Sequence, residues 1–517
     1  MTESATQAVR ASIGVTILTA FALFASFGVQ LVAASAIGAS AELDAYYVAL
    51  TIPTVLVGLV TSTLGAALVP VFARLLTAGD VVAAWSTATR TVAVSLLFLV
   101  FLCTIGMLAA QPLLRTTAPG LAPSALQEAA DLAIVLWPAT ALTGFATMLG
   151  ALHQARRRFL QAASGPLVGN LVTLFAAAAV VGTVGIRGLA FAALIGATAQ
   201  LTVVGVAAFP SPVQRWFLIR RRIGRVQHVA RLWSPLLVGG IAFQSLVIFD
   251  RFLASSLTPG SVTYLALAQR LVGVLGTLIT SGAVTVGVVT MSGNLATGDL
   301  AAFRRTLSRG LSTLFVLVIP VITILAGLRA PFVTVLFERG HFDPGDANAL
   351  ATTFPFYLLA LPGITLGSAI GAAYYALQDT RTLTVLGLAG VAVYFLYMPR
   401  LAAAFGATGI AAGVGIYYTY QFIGAGVALW LKLGRPSLAG AVARAGRAVV
   451  AALGAGVTAA ACATFIPIAL GQLFLGVFIS AGLYISALIF LSPDEPMVRA
   501  VRRLFSLRAD ATSGDDR

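Results

Sequence analysis

Tyr47-Val-Ala-Leu50 stands at the head of a long apolar run, and Tyr264-Leu-Ala-Leu267 stands at the head of another. Each run closes on a similar polar turn, Thr77-Ala-Gly-Asp80 in the first case and Ala296-Thr-Gly-Asp299 in the second. The spacing from Tyr47 to Tyr264 is nearly that from Asp80 to Asp299. Further along, Ala151-Leu-His-Gln-Ala-Arg156 corresponds to Tyr374-Tyr-Ala-Leu-Gln-Asp379 at a similar spacing. Two matches at one spacing mark an internal repeat. Six apolar spans fall within each copy. An even number gives both copies the same orientation, related by an axis along the membrane normal. That is the arrangement of transporters whose two lobes rock about a central site.

The composition agrees. Of 517 residues, 59% are hydrophobic and 9% charged, and the mean hydropathy is +0.97. A soluble chain carries roughly 25% charge, so this one is suited to lipid surroundings. Spans of about 20 apolar residues are expected near 12–37, 46–73, 89–111, 131–154, 166–183, 186–209, 234–256, 261–292, 309–330, 351–377, 383–401, 407–431, 443–467 and 470–492. The fold expected is therefore an all-α polytopic membrane protein of about 14 transmembrane helices. It comprises a six-helix lobe (1–210), a basic cytoplasmic linker (211–233), a second six-helix lobe (234–432), two extra helices (433–493) and a polar tail (494–517). Between the fifth and sixth spans only Gly185, Ile186 and Arg187 mark the turn.

Arginine sets the orientation, because cytoplasmic loops retain positive charge. Arg10, Arg74, Arg156, Arg157, Arg158, Arg304, Arg305 and Arg381 fall on one side if the spans alternate. So do the clusters Arg215–Arg231, Lys432–Arg447 and Arg499–Arg508. Glu42, Asp44, Glu128, Glu338, Asp343 and Asp346 fall on the other, with isolated Arg115, Arg187, Arg339 and Arg400. Both termini are thus expected in the cytoplasm, and the chain in the cell's inner or plasma membrane. The net charge of +15 reports topology and contact with anionic lipid heads, and no nucleic-acid partner is implied. Arg215–Arg231, with Trp216, Phe217 and Leu218 interleaved, suits either an interfacial amphipathic helix or a plain linker. The triplet Arg156–Arg158 follows from topology, with recruitment of an anionic head group as the alternative.

No nucleotide-binding loop and no nucleophile elbow occur. Cys103 and Cys462 sit in apolar runs, and the three histidines are scattered. No metal, cofactor or enzymatic constellation is expected. Pro53, Pro166, Pro235, Pro320 and Pro362 are hinge candidates.

Several motifs, in order, carry a family resemblance. They are Asp44-Ala-Tyr-Tyr-Val-Ala49, Ile52-Pro53, Ala67-Leu-Val-Pro-Val-Phe72, Phe249-Asp-Arg-Phe-Leu-Ala-Ser255 and Tyr264-Leu-Ala-Leu-Ala-Gln-Arg-Leu271. Phe303-Arg-Arg-Thr-Leu-Ser-Arg309, Leu336-Phe-Glu-Arg-Gly-His-Phe-Asp343 and Gln378-Asp-Thr-Arg-Thr382 follow. With these, the chain resembles the MviN/MurJ lipid II flippases of the multidrug/oligosaccharidyl-lipid/polysaccharide exporter superfamily. The resemblance implies alternating-access transport of a polyprenyl-diphosphate-linked peptidoglycan precursor from inner to outer leaflet. It also implies a cationic cavity for the diphosphate and a lipid-facing groove on the last two spans. The partners implied are the lipid-linked glycan, membrane lipids and cell-envelope synthesis proteins. The chain departs from the family by lacking arginine in span one and near the start of span two. Its first lobe is expected to hold no arginine within a span away from the cytoplasmic ends. That departure keeps open an exporter of another lipid-linked polysaccharide or glycolipid, and a non-transporting scaffold.

Arg270 matches the family's arginine in span eight, and Gln269 stands where the family usually has an acid. Arginine suits phosphate by its planar fork and is costly at membrane depth unless it faces a cavity. Snorkelling to the interface is the alternative for Arg270. Asp250 and Arg251, near the outer end of span seven, suit either a cavity contact or an interfacial pair. Asp44 matches a family acid and would equally serve as a helix N-cap. Glu338, Arg339 and Asp343 are expected to fix the structure of an outer loop.

Overall fold

The computed structural model describes residues 2–206, 208, 226–296, 298–433 and 438–491. Most of the expected basic linker, Arg435 and the polar tail lie outside the described residues. The described residues form sixteen helices and no strand. This is the outcome required where lipid offers the backbone no hydrogen-bond partner. The helices are α1 (Thr2–Ile37), α2 (Ala41–Thr77), α3 (Val81–Leu108), α4 (Ala110–Thr117), α5 (Pro123–Ala155), α6 (Phe159–Val184), α7 (Ile186–Val206) and α8 (Val226–Ser255). They continue with α9 (Ser261–Ala296), α10 (Leu300–Gly327), α11 (Arg329–Phe337), α12 (Pro344–Leu358), α13 (Ala360–Ala376), α14 (Thr380–Leu433), α15 (Leu438–Phe465) and α16 (Ala469–Leu491). Among the described residues, twelve helices are long and apolar enough to cross a membrane.

The chain divides into two compact units. The first holds Met1–Leu267, Arg339–Asp346 and Ala402–Ala407; the second holds Ala268–Glu338, Ala347–Leu401 and Thr408–Arg517. Within the first, α2 packs on α5 and α8, α1 on α6, and α7 on both α5 and α6. Its core includes Leu68, Phe72, Met148 and Leu152. Within the second, α10 packs on α13 and α15, and α16 on α15 and α11. Tyr484 of α16 donates from its hydroxyl to the Val316 carbonyl of α10, at 2.7 Å. That bond keeps a polar group satisfied inside an otherwise apolar seam.

The internal repeat is visible in atomic detail. Asp80 and Asp299 each follow a glycine at positive φ. Each caps the next helix, accepting from the Ala83 amide at 2.9 Å and the Ala302 amide at 2.7 Å. His153 Nε2 meets the Val204 carbonyl at 3.0 Å, and the Tyr374 hydroxyl meets the Ala425 carbonyl at 3.0 Å. Both partners lie 51 residues on, so His153 answers to Tyr374. The sequence alignment of this segment, Ala151 with Tyr374, is corrected by two residues. The residue types of the two segments share only an Ala-Leu pair and a glutamine, which do not fix the register. The turns that follow match as well, with Arg157 at φ 59 and Gln378 at φ 56. So do Gly185 (φ 69, ψ −148) and Gly406 (φ 58, ψ −137). Gly185 parts α6 from α7, at the turn expected from Gly185-Ile-Arg187. Gly406 breaks α14 at the corresponding place. Only glycine holds this backbone conformation without strain.

Two further features bear on expectations. Pro53, Pro166 and Pro320 lie inside α2, α6 and α10. And α3 begins at Val81 rather than near 89, which places Arg90 well inside the helix and half-buried. Arg90 thus lies in the Asp80-proximal half of a candidate spanning helix. The polar Asp80 turn ends the preceding helix and starts α3 at once, so the span begins earlier than the hydropathy does.

Candidate functional site

Asp44 lies one turn into α2, and its side chain is 3% exposed. One carboxylate oxygen accepts from the Gly260 amide at 2.7 Å. The other accepts from the Thr263 amide at 2.7 Å and the Thr263 hydroxyl at 2.6 Å. Gly260 precedes α9, and Thr263 lies in its first turn. Such amides have no partner within their own helix, and the positive end of the helix favours an anion there. The N-cap reading of Asp44 is thus corrected: Ser40 caps α2, accepting from Leu43 N at 3.3 Å. Asp44 sits inside its own helix and caps another one, 216 residues away.

Arg251 and Asp250 are each 8% exposed. Arg251 Nη1 donates to the Val262 carbonyl at 3.3 Å, and its charge acts attractively on Asp44. The structure therefore gathers Asp44 and Arg251 about the first turn of α9, with Asp250 buried beside Arg251 in sequence.

A second acid completes this node. Asp346, half-buried, accepts from the Ala39 amide at 3.0 Å and from the Tyr264 hydroxyl at 2.8 Å. Ala39 belongs to the α1–α2 turn, and Tyr264 to the first turn of α9. The His341 amide donates to the Ser35 carbonyl at 2.8 Å. Close backbone approach is possible because glycines stand where Cβ atoms would collide. A Cβ on Gly340 (φ 63) would strike the Ser35 carbonyl oxygen, and one on Gly38 (φ 73) would lie 2.5 Å from the His341 oxygen. One on Gly260 (φ 89) would lie 2.6 Å from the Ala39 oxygen. Asp343 accepts from the Asp346 amide at 2.8 Å, and Glu338 from the Thr334 hydroxyl at 2.7 Å. Both bonds are local, as expected of residues that shape the loop. The result is an exchange of acids. A carboxylate of α2 holds the head of α9, and a carboxylate from the 339–346 loop holds the turn before α2.

Gln269 and Arg270 are not part of this node. They lie in the second compact unit, further along α9. Gln269 is exposed and Arg270 half-buried. From Thr263 to Arg270 is about two turns, roughly 10 Å of helix.

Sequence reasoning passed over Asp346, Tyr264, Thr263 and Gly260 as members of a site. Two of the partners are backbone amides, which leave no mark in residue type. The available signal was Tyr264 itself, quoted in the repeat, and a glycine directly before Ser261.

Comparison with known proteins follows the same lines. The family described as "Lipid II flippase MurJ" matches residues 33–480. A protein named "Probable lipid II flippase MurJ" from Rhizobium meliloti is 26% identical over 392 residues, covering 73% of this chain and 72% of that one. "Lipid II flippase MurJ" from Burkholderia cenocepacia is 25% identical over 371 residues, covering 68% and 69%. Among solved structures, "Lipid II flippase MurJ, inward closed conformation" superposes with a TM-score of 0.79 at 17% identity, over 93% of this chain and 99% of that one. An inward-facing multidrug resistance MATE family transporter of the MOP superfamily gives 0.64 at 15% identity, over 82% and 98%. These two likenesses establish a common fold.

Proposed function

The chain belongs to the MurJ family of lipid II flippases, and from that membership we propose that it carries a lipid II-like polyprenyl-diphosphate precursor from the inner to the outer leaflet by alternating access. The observation that carries the reading is the extent of the family match, which covers residues 33–480.

On this reading the chain spans the membrane fourteen times. The twelve qualifying helices supply the base. The break at Gly406 divides the 54-residue α14 into two spans, and α8, 30 residues long, is another. The lobes are the two halves of the repeat, 1–210 and 234–432, joined through 211–233 and followed by α15 and α16 in 433–493. The even count and the excess of arginine on one side support both termini in the cytoplasm.

Asp44, Arg251 and Asp346 then form a latch. Their bonds tie the head of α2 to the head of α9, the helices that begin with the matched Tyr47 and Tyr264 segments. Opening on that side requires α9 to give up its cap and Asp346 to release Ala39 and Tyr264. Two-state transport needs contacts of this kind, strong in one state and absent in the other. Arg270 is the residue assigned to the substrate diphosphate, with the neutral Gln269 beside it where the family usually has an acid. Asp250 and Arg251 stand at the outer end of the path. The drive on this reading is an ion gradient, the membrane potential or consumption of product outside. Moving one charge through 100 mV is worth about 2.3 kcal/mol.

The test is rescue of a bacterium depleted of its own lipid II flippase. Wild type is expected to restore growth, and Arg270→Ala, present in the membrane at equal level, is expected not to. Failure of wild type to rescue while a related flippase succeeds would overturn the assignment to lipid II.

A further inference from the structure

The turn between α5 and α6 carries Arg156-Arg157-Arg158. Its counterpart in the second repeat, Leu377-Gln378-Asp379, has the same backbone, with Gln378 at φ 56 against Arg157 at φ 59. The two turns differ in charge. In the second repeat Asp379 accepts from the Thr382 amide at 3.1 Å and from its hydroxyl at 2.8 Å, and pairs with Lys432. Charge there is balanced within the protein. In the first repeat an arginine stands at the acid's position. Arg157 and Arg158 are exposed and make no salt bridge among the described residues. Arg156 is fixed over the Trp85 ring at 5.2 Å. Burial lowers its guanidinium's pKa, and the neighbouring Arg158 charge lowers it further. Like charges are thus crowded into one turn, an arrangement relieved by an anion.

The surroundings say where that anion comes from. Directly after the triplet, Phe159 and Leu160 are 45% and 48% exposed. They open α6, whose apolar window is 17% buried, the lowest share of the twelve candidate spans. An arginine triplet followed by exposed apolar residues on a lipid-facing helix fits a bilayer interface, not a water-filled cleft. Beside it, α6 and α7 leave a groove of about 600 Å³ lined by Val168, Leu194, Ile195, Thr198, Thr202 and Val203, among others. The hydroxyls of Thr198 and Thr202 are bonded to the Leu194 and Thr198 carbonyls, each at 2.8 Å. They are satisfied within their own helix, and the groove wall is apolar. Its Val203 end adjoins Val204, whose carbonyl holds His153, and His153 lies one turn before Arg156. From Val203 to Leu194 the groove follows α7 for about 13 Å, enough for much of an acyl chain.

We propose that this turn and groove form a binding site for an anionic phospholipid of the bilayer, with its phosphate on Arg156, Arg157 and Arg158 and an acyl chain lying between α6 and α7. Guanidinium forks match phosphate oxygens, and the groove supplies the apolar area that a soluble phosphate could not use. The inference stands apart from the transport reading, since it uses none of the residues assigned to substrate.

The experiment is native mass spectrometry of the full chain in detergent, titrated with phosphatidylglycerol and with phosphatidylcholine of identical acyl chains. Phosphatidylglycerol is expected to bind at least tenfold more tightly. The double variant Arg157→Gln/Arg158→Gln, both positions being exposed, is expected to weaken phosphatidylglycerol about thirtyfold and phosphatidylcholine far less, because its choline cation already offsets the phosphate, so that the preference is lost. Ile195→Trp, which fills the groove, is expected to weaken both lipids. Equal binding of the two lipids by wild type would overturn the proposal. So would an unaltered preference in the double variant with an unchanged melting profile. Displacement of bound phosphatidylglycerol by millimolar inorganic phosphate would show a simple anion site instead, and displacement by equimolar lipid II would assign the turn to substrate; either result overturns it.

Discussion

Replacing Asp44 by Asn is the sharpest probe of the node. The substitution keeps the size of the side chain and removes its charge. It also turns one acceptor into a donor. With Oδ1 retained for Thr263, the new amide faces the Gly260 N–H, formerly bound at 2.7 Å. Donor then meets donor in a site only 3% exposed. A hydrogen bond to a charged group contributes about 1.5–3 kcal/mol net, and three are affected here, two weakened and one lost. Loss of the anion from the helix head adds about 0.3–1 kcal/mol. We expect a total of about 3–5 kcal/mol, in line with removal of one buried charged partner. At 1.4 kcal/mol per tenfold, opening of the first turn of α9 rises by about two to three powers of ten. Hydrogen exchange of the protein in nanodiscs reads this directly. The Gly260 and Thr263 amides should lose protection by that factor, and the amides of α5 should not change. Unaltered exchange at both positions would refute the capping argument.

Other perturbations follow from the same geometry. Tyr264→Phe removes the donor to Asp346 and should cost about 1 kcal/mol, read as a lower melting temperature that Asp346→Asn does not lower by as much again. Gly340→Ala places a Cβ against the Ser35 carbonyl at a left-handed φ of 63. We expect about 2–4 kcal/mol and faster proteolysis of the 339–346 loop, whereas Gly371→Ala, with open space around it, should be neutral on the same gel. Gly406→Ala should destabilise by about 1–3 kcal/mol through its backbone conformation alone, visible in thermal unfolding. The Asp379 carboxylate is held at about 2, chiefly by the hydrogen bond from Lys432 and then by Thr382. Its pKa is depressed on folding, so its contribution is complete above about pH 4 and is lost as pH falls toward 2. A carboxyl carbon NMR titration should find that midpoint, and Lys432→Met should move it up toward 3.8.

Much of the architecture could be read before any coordinate was known, and the reason is physical. Lipid forces the backbone into helices, so hydropathy alone locates nearly every span, and Gly185 alone parts α6 from α7. The repeat was legible through its turns, because the Gly79-Asp80 and Gly298-Asp299 signals serve the same cap twice. Where the two segments share only an Ala-Leu pair and a glutamine the register was lost, and His153 paired with Tyr374 only once their carbonyl partners were seen. In the site, Asp44 and Arg251 were legible as charges near helix ends, Asp44 equally as an N-cap and Arg251 equally as half of an interfacial pair. Their partners were not, since the Gly260 and Thr263 amides belong to every residue type. The docking of Arg339–Asp346 on Ser35 and Ala39 joins segments far apart in the chain, 307 residues in the case of Ala39 and Asp346. Nothing local in either segment announces the other. The polar turn at Asp80 lies ahead of the hydropathic stretch, so α3 starts earlier than the span read from hydropathy.

Lipid II flipping by the purified chain tests the central claim most directly. Proteoliposomes holding wild type would be loaded with fluorescent lipid II in both leaflets, and the fraction bleached by a membrane-impermeant reductant would be followed with time. We predict that bleaching passes beyond the outer half to near completion. We also predict that Arg270→Ala stops at about half, as protein-free vesicles do. A wild-type protein, folded and inserted, whose bleaching also stops at half would contradict the account.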